Sequence, residues 1–326
     1  MDDATGASPE RGVHAAALAS LPRATPRRLE QLLRRQDPAK VWEKVQTGQM
    51  AKWVAGEDLH DIWRDHARGT DLAAIAAHLE SLDAWVTTPA SRQHPLAVIH
   101  DLDPAPILFR CGRLPDPTAP AVAIVGTRRC TPTGRSVAME LGSGLAAAGV
   151  TVVSGLALGI DGAAHRGALA ADGAPVVGVV GSGLDVVYPR GNRDLWEAVS
   201  SVGTLLSEAP LGAEPEGWRF PARNRLLAAL ADVVVVVESK RAGGYSWFRF
   251  PKVLVSLSRS SRKTESRDVR VSRYGCLGSL CLFLPPWVSD TAKVSRWSRL
   301  FIAARPPVDH RLTGARLHAH STDEPV

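Results

Sequence analysis

Between Ala121 and Asp161 the chain reads AVAIVGTRRCTPTGRSVAMELGSGLAAAGVTVVSGLALGID. Two apolar runs, AVAIV and VTVV, each end in a loop of small residues: Gly126-Thr127-Arg128-Arg129 and Ser154-Gly155-Leu156-Ala157-Leu158-Gly159. A helix-length segment separates them. Strand, glycine loop, helix, strand, glycine loop is the repeating unit of a parallel α/β sheet. Right-handed crossovers bring the loops at the strand carboxyl ends to one edge of such a sheet, where its ligands bind. Backbone N–H groups at helix starts on that edge attract anions. The pattern therefore predicts a phosphate-binding sheet edge, and the first loop adds two arginines to it.

The same alternation extends further. Apolar runs recur at 121–125, 150–153, 175–180, 204–208 and 232–238, with helix-like segments at 134–148, 161–172, 192–201 and 221–231. This predicts an extended Rossmann-like α/β fold with helices on both faces of a parallel sheet. Upstream, ALASLPRATPRRLEQLLRR and DLAAIAAHLESLDAW carry apolar residues at helical spacing, so residues 15–85 read as a small helical domain. It suits either packing or DNA contact. Residues 1–14 read as a disordered leader. Residues 94–120 read as a Pro-punctuated connector with short strand-like pieces, LAVI and ILFR.

A chain of 326 residues is long enough for more than one domain. No apolar run approaches the roughly 20 residues that cross a bilayer, and the N-terminus lacks a cationic segment followed by an apolar one. The four cysteines (Cys111, Cys130, Cys276, Cys281) form neither a disulfide framework nor a zinc pattern. The expectation is a cytoplasmic protein without metal or cofactor. The net charge of +6 is a property of the last 82 residues, which hold 14 Lys and Arg against 6 Asp and Glu. From Tyr245 onward the chain is Ser- and Arg-rich without a stable period, as in a basic nucleic-acid-binding arm or an out-of-frame terminus.

Candidate phosphate contacts follow from the loops. Gly126 and Thr127 let backbone approach a phosphate closely, and Arg128 can clamp its oxygens bidentately. Ser154 can donate its hydroxyl and Gly155 loosens the second loop, while Asp161 fits a structural N-cap for the helix that follows. Tyr188 can stack on a base and Arg190 can meet a phosphate. In FPARNR, Arg223 and Arg225 flank Asn224 at a helix start, where cations oppose the macrodipole. An anionic ligand would explain them, and together they would make a basic rim. No P-loop, dinucleotide fingerprint, HExxH, nucleophile elbow or evident base–nucleophile pair accompanies these loops. No catalytic residue is assigned.

With these elements in order, residues 94–244 resemble the DNA-processing protein A (DprA/Smf) family. The resemblance is carried by HPLAVIHDLDPAPILFRCGRL, AVAIVGTRRCTPTGR, VVSGLALGIDGAAHRGAL, GSGLDVVYPRGNRDL, LLSEAPLG, FPARNRLLAAL and DVVVVVES. It implies a non-enzymatic, dimerising single-stranded DNA-binding protein that helps load RecA recombinase in natural transformation, with a SAM-like domain at 15–85. Gly126, Thr127, Arg128, Ser154, Gly155, Arg223, Asn224 and Arg225 would face the DNA phosphates. The alternatives are a nucleotide-processing Rossmann enzyme of the nucleoside-monophosphate phosphoribohydrolase type and a truncated relative without function. The family pattern breaks after SKRAGG. The last helix and strand of the sheet are then expected to be absent or replaced at 245–326, which puts dimerisation in question and leaves VVVVV as an exposed edge unless the tail covers it.

Overall fold

The computed structural model describes residues 9–238, apart from 35, 51–53, 55, 92, 96, 97, 99–103, 172 and 174, together with the backbone of 254–257 and 269–272. Five helices come first: α1 Pro9–Ala19, α2 Pro26–Leu33, α3 Pro38–Thr47, α4 Glu57–Gly69 and α5 Leu72–Ser81. Their starts are encoded locally. Thr25, Asp37 and Asp71 each accept a backbone N–H of the first turn, and α2 and α3 place proline in that turn. Trp42 and Trp63 are fully buried among them, and the Trp63 indole donates to Pro22 O at 2.7 Å.

The sheet comprises β1 Ala84–Thr87, β2 Leu108–Gly112, β3 Ala121–Gly126, β4 Thr151–Ser154, β5 Val176–Val179, β6 Thr204–Ser207, β7 Val233–Val237, β8 Leu254–Leu257 and β9 Val269–Ser272. Their spatial order is β1-β2-β6-β5-β4-β3-β7-β8-β9. The six strands from β6 to β8 run parallel, while β1, β2 and β9 join antiparallel. Every residue of β4, β5, β6 and β7 is buried. Sheets covered on both faces require such strands, which is why they appear as uninterrupted apolar runs.

Among the described residues four α-helices connect the parallel strands: α6 Pro132–Ala147, α7 Ile160–Leu169, α8 Arg193–Val202 and α9 Arg219–Leu230. α6 and α7 touch backbone to side-chain position. A methyl group at Gly142 would strike Ala164 O, and one at Gly167 would strike Met139 O. The carboxyl ends of β3, β4 and β5 thus come to one edge with the starts of α7 and α9, as the sequence predicts.

Two expectations need correction. Residues 9–14 belong to α1 rather than to a leader, and residues 1–8 lie outside the described residues. The helical pattern read through Trp85 stops at Ser81, and Ala84–Thr87 pairs with β2 as a strand. The boundary expected at 85 therefore falls inside a strand, and α1 packs over it, with Gly12 close to Val86. For β7 the stated exception holds, because the tail covers it: β8 pairs with it in parallel and β9 pairs with β8. Residues 254–257 thus supply a further parallel strand where the sequence pattern breaks. Of the two connector strands, ILFR is realised within β2, whereas 96, 97 and 99 of LAVI lie outside the described residues.

Candidate nucleic-acid interface

The first question is what satisfies the helix starts on the loop edge. α6 begins after Thr131, whose hydroxyl caps the Gly134 N–H. Glu238, just past β7, extends its carboxylate to the same point and accepts from Thr131 N and Thr131 Oγ1, both at 2.9 Å. Its main-chain oxygen accepts from Thr127 N at 3.0 Å. The anion position at the start of α6 is therefore filled by the protein's own side chain. Glu238→Ala is expected to lower stability by about 1 kcal/mol, the usual weight of a helix-start carboxylate and cap. Urea unfolding of the two proteins measures this.

α7 shows the same device in a buried form. Gly159 (φ 82°) is its N-cap, so Asp161 lies in the first turn rather than at the cap position expected for it. The Asp161 carboxylate is 5% exposed. It accepts from the backbone of Gly126 and Gly155 and lies 3.6 Å from the Arg223 guanidinium. Burial pushes its carboxyl upward, against Arg223 and those N–H groups. The guanidinium does not deprotonate in practice, so it stands beside Asp161 as a fixed positive charge.

Arg223 therefore points inward. It donates to Gly155 O at 2.9 Å, to Val179 O, and through Nε to Asn224 Oδ1 at 3.1 Å, tying the ends of β4 and β5 to α9. Gly155 is glycine because any side chain there would occupy the space of this guanidinium. Gly126 is glycine because a side chain would strike Val237 O and Ile160. Arg225 is paired with Glu208. α9 opens at Arg219, so Arg223 and Arg225 stand a full turn or more inside it rather than at the helix start expected for them; each faces a carboxylate of the chain itself, and the expected rim is an internal brace. Ser154 is likewise turned away, fully buried with its hydroxyl donating to Ile124 O at 2.5 Å.

The exposed surface of the edge is made by other residues. Arg128 is exposed, with its guanidinium carbon 4.7 Å from the centre of the Phe220 ring. Tyr188 also packs on Phe220, with ring centroids 5.3 Å apart and the planes tilted by 36°. A shallow cleft is lined by Arg128, Leu158, Gly181, Tyr188 and Phe220, with the nearly buried Arg223 in its floor. Arg129 and Arg190 are exposed beside it, and Thr127 Oγ1 holds the Arg129 N–H at 3.2 Å. Asn192 secures the rim by donating to Leu156 O and Ala157 O at 2.9 and 3.1 Å rather than capping α8 with its side chain.

The structure thus brings Thr127, Arg128, Tyr188 and Arg190 to the surface together, and turns Ser154, Arg223 and Arg225 inward. Phe220 is the platform missed in the sequence. Its place in FPARNR, in the first turn of α9 on the edge that carries Arg128, was the available signal. Among the described residues no cluster of His, Cys, Asp and Glu could hold a metal ion, and no helix is long and apolar enough to cross a membrane.

Residues 85–246 match the family model described as DNA recombination-mediator protein A. The chain is 40% identical over 161 residues to Protein Smf of Synechocystis, a match that covers 48% of this chain and 40% of that protein. The chain thus spans less than half the length of this curated relative. The crystal structure of DNA processing protein A from Streptococcus pneumoniae superposes with a TM-score of 0.62 at 25% identity, covering 77% of this chain and 87% of that one. A structure of the Helicobacter pylori protein, reported for its single-stranded DNA binding mode, covers 54% of this chain and 82% of that one at 30% identity and a TM-score of 0.47.

Proposed function

We propose, from the premise that the chain belongs to the DNA recombination-mediator protein A family through residues 85–246, that it binds single-stranded DNA along the cleft of Arg128, Tyr188 and Phe220. The observation that carries this reading is an arginine stacked on an aromatic pair at an open sheet edge. Unpaired bases stack on aromatic faces whatever their identity, and arginine meets the intervening phosphates. Arg129 and Arg190 extend the positive surface for a continuous strand. Thr127 and the backbone around Gly126 and Gly155 border the path, and Asn224 supports it through Arg223.

The carboxylates count against a mononucleotide enzyme. A nucleotide phosphate would need the helix starts that Glu238 and Asp161 already fill, whereas a strand lying across the cleft needs neither. The protein would act by binding, with no catalytic group of its own. Protecting incoming DNA and passing it to RecA recombinase, as a dimer in the cytoplasm, completes the proposal.

Fluorescence anisotropy with a labelled 20-nucleotide strand tests it. Affinity should fall steeply with salt, with a slope of about −0.7 per phosphate neutralised. Arg128→Ala should weaken binding and flatten that slope by roughly one contact. Tyr188→Ala should weaken binding about 5- to 150-fold, the range for loss of one stacked base. Salt-insensitive binding, or Arg128→Ala binding like the parent, would overturn the assignment.

A further inference from the structure

A second cationic surface lies on the helical region, and the cleft has no use for it. Residues 21–40, LPRATPRRLEQLLRRQDPAK, contain six Arg and Lys against Glu30 and Asp37, with no aromatic residue. Structurally this is the turn from α1 into α2, then α2 itself and the start of α3. Arg23, Arg27 and Lys40 are exposed, and none of the three forms an ion pair among the described residues.

The turn is built rigidly. Ala24 N donates to Leu21 O at 3.0 Å, with Pro22 second and Arg23 third, at φ 58°. That is the arrangement of a type II turn, whose third position ordinarily takes glycine. Both central carbonyls are occupied, Pro22 O by the Trp63 indole and Arg23 O by the Arg28 guanidinium at 2.9 Å. An arginine in the left-handed region costs roughly 1–2 kcal/mol that glycine would avoid. Nothing in the packing explains it, since Arg23 is exposed. Strain retained at an exposed cation points to a role for its charge.

We propose that the α1–α2 turn and the exposed face of α2, with Arg23 and Arg27 at its centre, bind the phosphate backbone of double-stranded DNA. Three observations select this partner. The array is cationic and fixed by the locked turn, so it suits a ligand of regular charge spacing. It lacks any stacking face, in contrast to Tyr188 and Phe220 in the cleft, so unpaired bases gain nothing there. The start of α2 lies between the two arginines and adds its positive dipole end. Recognition would be independent of sequence, because phosphate contacts carry no base information.

The test compares full-length parent, Arg23→Gly/Arg27→Ala and Arg128→Ala by anisotropy on a labelled 20-base-pair duplex and a 20-nucleotide strand across a salt series. Glycine suits the positive φ, so the double variant should fold at least as well as the parent, and its unfolding midpoint checks this. Duplex affinity should fall about tenfold, and the duplex salt slope should shrink by about 1.8, the share of two phosphate contacts. Single-strand affinity should stay within twofold. Unchanged duplex binding overturns the proposal. So does an equal loss on both ligands, which would make the turn part of one common site. The reading of the cleft fails separately, if Arg128→Ala leaves single-strand binding intact.

Discussion

Asp161→Ala is expected to destabilise the protein by about 3–5 kcal/mol, the loss found when one partner of a buried ion pair is removed. The change leaves Arg223, 7% exposed, with the carbonyls of Gly155 and Val179 and the Asn224 side chain but with no buried countercharge. Against a total stability of roughly 5–15 kcal/mol this is a fifth or more. Urea unfolding followed by tryptophan fluorescence reads it directly, because Trp42 and Trp63 are buried. The pair Asp161→Asn/Arg223→Met removes both charges together and should recover most of the loss, since apolar replacement of a whole buried ion pair is often neutral.

Arg223→Met also separates the inward role from the one expected in the sequence. The folded variant should bind single-stranded DNA nearly as the parent does, with an unchanged salt slope. A tenfold loss of affinity with a shallower slope and an unaltered unfolding midpoint would make Arg223 a DNA contact after all.

The parallel sheet was legible because burial on both faces leaves each strand a bare apolar run, and helical spacing fills the gaps between runs. AVAIV, VTVV and DVVVVVE became β3, β4 and β7 within a residue or two. The four-residue β1 was hidden because the apolar spacing of α5 continues through it, and only tertiary pairing with β2 makes it extended. The inward turn of Arg223 and Arg225 was not legible for a different reason: FPARNR reads as a helix start, whereas α9 opens at Arg219. A cation at a helix start demands an anion, but spacing alone cannot say whether that anion is a ligand. Asp161 lies 62 positions before Arg223, and Glu208 lies 17 before Arg225. The fold alone brings them together. The glycine loops misled in the same way: Gly155 reads as an opening for phosphate, yet the space it leaves is filled by a guanidinium. Arg128, by contrast, stays exposed at the edge, with its guanidinium over the Phe220 ring.

Acid should destabilise the protein through two histidines well before its ordinary carboxylates titrate. His165 in α7 is fully buried, and neither ring nitrogen finds a hydrogen bond of ordinary geometry among the described residues. Burial lowers its pKa to about 4; the adjacent Ser154 backbone opposes this, and the nearby Arg223 adds a smaller downward push. His94 is 2% exposed, with Nδ1 3.0 Å from Thr87 Oγ1, and burial lowers it to about 4 as well. In the unfolded chain both titrate near 6.5. As pH falls through the window from about 6.5 to 4, the unfolded state therefore takes up protons that the folded state refuses, and stability drops. The full contribution is present above pH 6.5. At pH 5 each histidine costs about 2 kcal/mol, so the two together remove about 4 kcal/mol relative to pH 7.5. Unfolding free energies at pH 7.5 and 5.0 measure the sum, and His94→Gln and His165→Gln should each reduce the pH-dependent part by about half, whatever their effect at pH 7.5. Identical pH profiles for the parent and the doubly substituted protein would assign the acid sensitivity to other groups.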